Sequence, residues 1–147
     1  MKKALPFLPA AFYYGLIFFL SSRPLKLEVP LPNLDKLAHG AAYGLLGFLL
    51  AFGFFGLFRA PLKIKLGGVI LTGGILGILD EIHQIFVRGR TPDPLDVLAD
   101  AVGIVLGLIL FRLISSRKNR PKKGINRASP KGSGKSRRRH RKNRRPT

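Results

Sequence analysis

The sequence contains no cysteine, and only seven of its 147 residues are acidic. Without cysteine there is no disulfide, no thiolate metal site and no cysteine nucleophile. Acidic residues stop at Asp100, so the many Lys and Arg beyond it have no counter-charge of their own. Also missing are a Gly-rich phosphate loop, a Gly-x-Ser-x-Gly elbow and a nucleophile flanked by an obvious base. Their absence leaves no recognisable nucleotide-binding or serine-hydrolase signature.

What the chain does have is 46% hydrophobic residues together with a formal charge of +19, and the two are segregated. Apolar residues dominate up to about Ile114, whereas Arg117 to Thr147 holds 15 Lys/Arg and no Asp or Glu. This divides the chain into a membrane body, residues 1–116, and a basic cytoplasmic tail, residues 117–147. The tail carries Pro121, Pro130 and Pro146 and almost no apolar side chains, so it is expected to be disordered, because it cannot bury enough surface to offset the entropy of ordering. Its Arg137–Arg145 cluster suits anionic lipid headgroups, at about 1 kcal/mol per basic residue near a membrane surface. Nonspecific nucleic-acid binding by counterion release is the weaker alternative, since no interleaved aromatics are present to stack bases.

Four apolar segments are long enough to cross a bilayer, roughly Ala4 to Leu20, Leu37 to Phe58, Leu66 to Val87 and Leu95 to Ile114. They predict an all-α, polytopic membrane protein built as a bundle of four transmembrane helices. The charged start Met1-Lys2-Lys3 before the first segment resembles a signal peptide, but Phe19-Leu20-Ser21-Ser22-Arg23 is a poor small-x-small cleavage site, so an uncleaved helix is expected. Pro24, Pro30 and Pro32 make the next connection an extended outer loop. The Arg59 to Lys65 and Arg88 to Pro94 connections read as short turns closing two helical hairpins. A four-span arrangement puts 21 of the 26 Lys/Arg on one side and all seven carboxylates on the other. The positive-inside rule then places both termini in the cytoplasm and the protein in the cell (inner) membrane.

Ionisable residues at the edge of a membrane span mark a functional site by default, with helix-locking ion pairs as the competing explanation. Asp35, His39 and Tyr43 recur at i, i+4 and i+8 on one side of the second helix, with Lys36 beside them; Asp35 is also a candidate N-cap. Gly73, Gly77, Asp80 and Gln84 fall within about 60° of one another on the third helix, and Glu81 lies about 60° beyond Gln84. His83 points away from that stripe and is not assigned to the site. Asp96, Asp100, Gly103 and Gly107 share a stripe on the fourth helix, where the two glycines form a close-packing pair. Three helices therefore bring carboxylates to one outer level, and Arg88 and Arg90 enter from the connecting turn.

Two physical readings follow. In one, Lys36, Arg88 and Arg90 neutralise the carboxylates and the network fixes helix register, since losing one partner of a buried pair costs about 3–5 kcal/mol. In the other, the cluster is a pocket where arginines hold a phosphate or carboxylate and Glu81 or His39 is the candidate acid or base. Asp, Glu and His are adequate metal ligands, but their spacing matches no recognised zinc motif, so neither a metal nor any other cofactor is assigned.

Ser21-Ser22, Asp35-Lys36-x-x-His39-x-x-x-Tyr43, Asp80-Glu81-x-x-Gln84 with Arg88-Gly89-Arg90, and Asp96-Val97-Leu98-x-Asp100 with Gly103 and Gly107 occur in that order between about Leu16 and Leu110. The combined pattern resembles the VanZ-like membrane protein family. Asp100 departs from it, because the family carries Asn there; the departure adds a charge where a neutral hydrogen-bonding group is usual. The resemblance implies a small polytopic membrane protein, and the family's founding member is associated with low-level resistance to the glycopeptide teicoplanin. It supplies no reaction. The expected ligand-binding set is Asp35, Lys36, His39, Tyr43, Asp80, Glu81, Gln84, Arg88, Arg90, Asp96 and Asp100. Its expected partner is an anionic envelope or lipid-linked ligand, next to the membrane lipids themselves. A hydrolase or transferase acting on a lipid or cell-wall precursor, and a purely structural or partner-recruiting protein, are the alternatives.

Overall fold

The computed structural model describes residues 5–23, 34–90 and 93–118, and among these it is all-helical with no strand. A 3-10 turn, Leu5–Phe7, leads into α1 (Leu8–Ser21), followed by α2 (Leu34–Leu57), α3 (Leu62–Ile85) and α4 (Pro94–Lys118). At 1.5 Å per residue the three long helices reach about 36 Å, more than the roughly 30 Å hydrocarbon layer. All three are apolar enough to cross a membrane; the helical stretch Leu5–Ser21 is also apolar but shorter.

Local chemistry sets the helix ends. Pro61, extended at φ −52° and ψ 149°, stops the chain after α2, and its carbonyl accepts from the Ile64 and Lys65 amides to start α3. At the other end of α3, Gly89 takes φ 86°, a left-handed conformation that a side chain would strain. Asp93 then caps α4, its Oδ1 accepting the Leu95 amide at 2.9 Å, with Pro94 in the first helical position where a missing N–H costs nothing.

Glycines allow α2 and α4 to approach backbone to backbone, the tightest pairing in the bundle. A Cβ on Gly103 would fall on the Gly40 carbonyl oxygen, one on Gly107 on the Gly44 carbonyl oxygen, and one on Gly47 on the Ile104 backbone. α3 closes over this pair through Gly73, against which the Ile104 side chain lies. The core is formed by Tyr43, Leu46, Leu50, Ala51, Val69, Ile104 and Leu108, joined by Ala10 and Ile17 of α1. Large apolar side chains cover the outside, with Phe12 and Phe86 each 81% exposed and Leu71 66%. Such a surface suits lipid, where an exposed Leu or Phe has nothing to gain by burial.

Several boundaries differ from those read from hydropathy. The turn between α2 and α3 is only 58–61, and Lys63 and Lys65 belong to α3, because a charged side chain on the first helical turn can reach out of an apolar layer without breaking the helix. Asp35 is the second residue of α2 rather than its cap. α4 runs to Lys118, two residues past the boundary drawn from charge. The Lys2-Lys3 start, the proline-rich connection 24–33 and the tail 119–147 lie outside the described residues.

Candidate functional site

The ends of the four helices nearest Ser21, Leu34, Ile85 and Pro94 meet, and the buried polar and charged side chains of the described residues gather there. Asp80, Glu81, Asp96 and Asp100 are buried, as are Gln84 and Ser21. Burying a carboxylate costs several kcal/mol unless partners compensate, so the neighbours of each buried oxygen decide what it contributes.

On the α1–α3 side, Ser21 Oγ donates to Asp80 Oδ1 at 2.6 Å and Gln84 Nε2 donates to Asp80 Oδ2 at 3.2 Å. Both Asp80 oxygens are therefore satisfied. One turn further out, Ser22 Oγ lies 2.9 Å from His83 Nε2, and the His83 ring stacks on Phe18 at 4.0 Å. Lower in the bundle, the hydroxyls of Tyr14 and Tyr43 both donate to the Leu76 carbonyl at 3.3 Å, tying α1 and α2 to the same point of α3.

On the α2–α4 side, Lys36 Nζ bridges Asp93 at 2.7 Å, Asp35 at 3.2 Å and Asp96 Oδ1 at 3.3 Å. Lys36 and the Leu95 amide hold the Asp93 carboxyl below its ordinary range. His39 Nδ1 lies 3.1 Å from Asp100 Oδ1, and His39 Nε2 lies 3.9 Å from Asp96 Oδ2. The Asp93 amide donates to Glu81 Oε2 at 3.2 Å. Glu81 Oε1 and Asp100 Oδ2 are buried without a partner among the described residues.

Between the two halves, a groove of about 190 Å³ lies between α1 and α2. Leu16, Ile17 and Leu20 of α1 and Ala38 and Ala42 of α2 make its apolar walls, and Ser21, Asp80, His39 and Arg90 stand at its polar end. Arg90 forms no ion pair among the described residues; its Nη2 donates to the Arg23 carbonyl at 3.4 Å and its buried Nε has no partner.

A family model described as VanZ/LLP1 matches residues 5–115, three quarters of the chain and all four helices almost to the end of α4. The chain belongs to the VanZ/LLP1 family. No curated protein and no solved structure matches it.

In this VanZ/LLP1 protein, the expected set is largely brought together. Lys36, His39, Glu81, Asp96 and Asp100 form one connected cluster, Asp80 and Gln84 a second, and Tyr43 is buried beneath both. Asp35 is at the margin, half exposed and bonded through its side chain, among the described residues, only to Lys36. Two arginines expected to neutralise the carboxylates do not: Arg88 is exposed and pairs with no carboxylate among the described residues, and Arg90 faces the groove instead. The reason is that Gly89 turns the chain between them, so neighbours in sequence point in different directions.

Three contributors were outside the expected set. Ser21 is the partner of Asp80, and its signal was present in the Ser21-Ser22 pair at the end of the first apolar segment. Asp93 both caps α4 and holds Lys36 and Glu81 through its carboxylate and amide, a role that the Asp-Pro dipeptide at a helix start could have suggested. His83 meets Ser22 only because α1 packs against α3 there, which periodicity within α3 does not reveal.

Proposed function

We propose that this VanZ/LLP1 protein is a four-pass inner-membrane protein, with both termini cytoplasmic, that binds or shields an anionic lipid-linked ligand of the cell envelope in the groove between α1 and α2, and so alters susceptibility to glycopeptides of the teicoplanin type. The observation that carries the reading is the junction of an apolar groove with a guanidinium that has no ion pair among the described residues. Leu16, Ile17 and Leu20 suit a hydrocarbon chain, and Arg90 at the polar end suits a phosphate or carboxylate. Its Nε, without a partner among the described residues, is a donor in need of an acceptor.

Support for α1 as a fourth span comes from its surface. Phe12, Phe19 and Leu20 are exposed around a helix with no charged residue between Leu5 and Ser22, a composition that suits a lipid environment. The 3-10 turn and α1 together reach about 27 Å, close to the hydrocarbon thickness. In this arrangement the basic tail lies at the cytoplasmic face, where anionic headgroups are its natural partners.

One observation favours an enzymatic alternative. Asp100 orients His39 in the manner of a base-orienting carboxylate, and His39 also lines the groove, so a hydrolase or transferase acting on the same lipid-linked ligand would use His39 with Glu81 nearby. Arg90→Ala separates binding from architecture, because among the described residues Arg90 carries no ion pair whose loss would loosen the bundle. The variant should insert and purify like the parent but lose both retained anionic lipid and any effect on glycopeptide susceptibility. A folded Arg90→Ala protein that keeps both contradicts the proposal. Turnover of a lipid-linked phosphate that disappears in His39→Ala establishes the enzymatic reading.

A further inference from the structure

The geometry points to a divalent transition-metal site formed by His39, Glu81 and Asp96 at the outer end of α2, α3 and α4, a site that does not depend on what occupies the groove. One ligand atom from each of these three residues lies within 4.8 Å of the other two. Hydrogen bonding determines which atoms are free. Asp100 Oδ1, as a carboxylate oxygen, can only accept, so the proton of a neutral His39 sits on Nδ1 and the Nε2 lone pair is left bare. Glu81 Oε2 is taken by the Asp93 amide, which leaves Oε1. Asp96 Oδ1 is taken by Lys36, which leaves Oδ2. The atoms remaining are His39 Nε2, Glu81 Oε1 and Asp96 Oδ2, and the first and last already face each other at 3.9 Å.

Two further observations separate this from an ordinary acidic cluster. Glu81 Oε1 is buried with no partner among the described residues, on a residue only 7% exposed, and an orphan carboxylate oxygen in such a place calls for a cation or a donor. The second is the His39–Asp100 contact. A metal-bound imidazole commonly gives its other N–H to a carboxylate, which fixes the tautomer and strengthens the ligand, and Asp100 stands in that position. This gives a purpose to the charge that distinguishes Asp100 from a neutral Asn. Charge balance agrees, because among the described residues Lys36 is the only Lys or Arg that pairs with any of these carboxylates, through Asp96, and it is shared with Asp35 and Asp93.

One imidazole and two carboxylates form a mixed nitrogen and oxygen set suited to Zn²⁺ or Mn²⁺, with at least one coordination position left for water or a ligand oxygen. Ligands of one Zn²⁺ sit about 2.1 Å from it and roughly 3.4 Å from each other, so an inward adjustment of about an ångström closes the site. A bound ion also offsets the negative charge that otherwise opposes an anion beside Arg90.

The test uses full-length, chelator-stripped protein in detergent, without added lipid, so that its outcome is independent of lipid binding. Titration with Zn²⁺ and with Mn²⁺ should show one saturable equivalent per chain. Glu81→Gln and Asp96→Asn should abolish it, and Asp100→Asn should weaken it by about 10- to 100-fold. His83→Ala should leave it unchanged. X-ray absorption of the Zn²⁺-loaded parent, which needs no variant to fold, should find a shell of oxygen ligands with a single imidazole. No saturable binding of either ion, binding that persists in a folded Glu81→Gln/Asp96→Asn double variant, or a shell with two or more imidazoles overturns the inference.

Discussion

Removing the Ser21 hydroxyl by Ser21→Ala tests how α1 is fixed to the rest of the bundle. Ser21 Oγ reaches Asp80 Oδ1 at 2.6 Å, a length typical of a hydroxyl bonded to a charged carboxylate, and Asp80 is only 1% exposed, so the bond is shielded from bulk water. Hydrogen bonds to charged groups contribute about 1.5–3 kcal/mol, and neutral ones about 0.5–1.5 kcal/mol. Ser21→Ala should therefore cost about 2 kcal/mol alone and about 1 kcal/mol in the Asp80→Asn background, where only a neutral bond is lost. The resulting coupling, about 1 kcal/mol, lies above the roughly 0.6 kcal/mol average for interhelical bonds in membrane proteins and below their ceiling of about 1.7 kcal/mol. A double-mutant cycle on reversible unfolding in mixed micelles measures it directly. Distant, independent sites add within about 0.3–0.5 kcal/mol, so a coupling inside that band would refute the claim that this bond fastens α1 to α3.

Glycine substitutions should discriminate sharply by position. Gly107→Ala places a methyl on the Gly44 carbonyl oxygen and should cost about 3 kcal/mol, the upper range for overpacking, because backbone cannot move aside as a side chain can; Gly74→Ala meets nothing within 4 Å and should stabilise α3 by about 0.5–1 kcal/mol. Melting temperatures of the two variants in one detergent decide this, and equal shifts would contradict the close α2–α4 approach. The cysteine-free sequence makes topology equally direct. Arg88→Cys should react with an impermeant maleimide in intact cells and Arg59→Cys only after permeabilisation, and the reverse pattern would invert the proposed orientation.

The helices were legible because their signals are local. Apolar length marked all four, the Gly73, Gly77, Asp80 and Gln84 stripe became the buried face of α3, and Gly103 with Gly107 became the α4 face packed on α2. Boundaries moved where a charged residue sits on a first helical turn, as at Lys63 and Lys65, since hydropathy penalises a charge that the helix itself tolerates. Within the candidate site, the sequence marked most of the residues that the helices bring together, but not their pairing. That His39 takes Asp100 and Lys36 takes Asp96 depends on how far α2 and α4 slide along their shared glycines, whereas Arg90 turns to the groove and Arg88 stays outside because Gly89 turns the chain between them. Such a shift is a property of two packed helices, and no single helix encodes it. Ser21 illustrates the same limit, because a serine at the end of an apolar helix becomes significant only when Asp80 is opposite.

The most direct test of the account is lipid-resolved mass spectrometry of the protein purified from its membrane, compared with Arg90→Ala. The account predicts about one specifically retained anionic, lipid-linked envelope molecule per parent chain and its loss from the folded variant. Bulk phospholipid alone, retained equally by both, would contradict it.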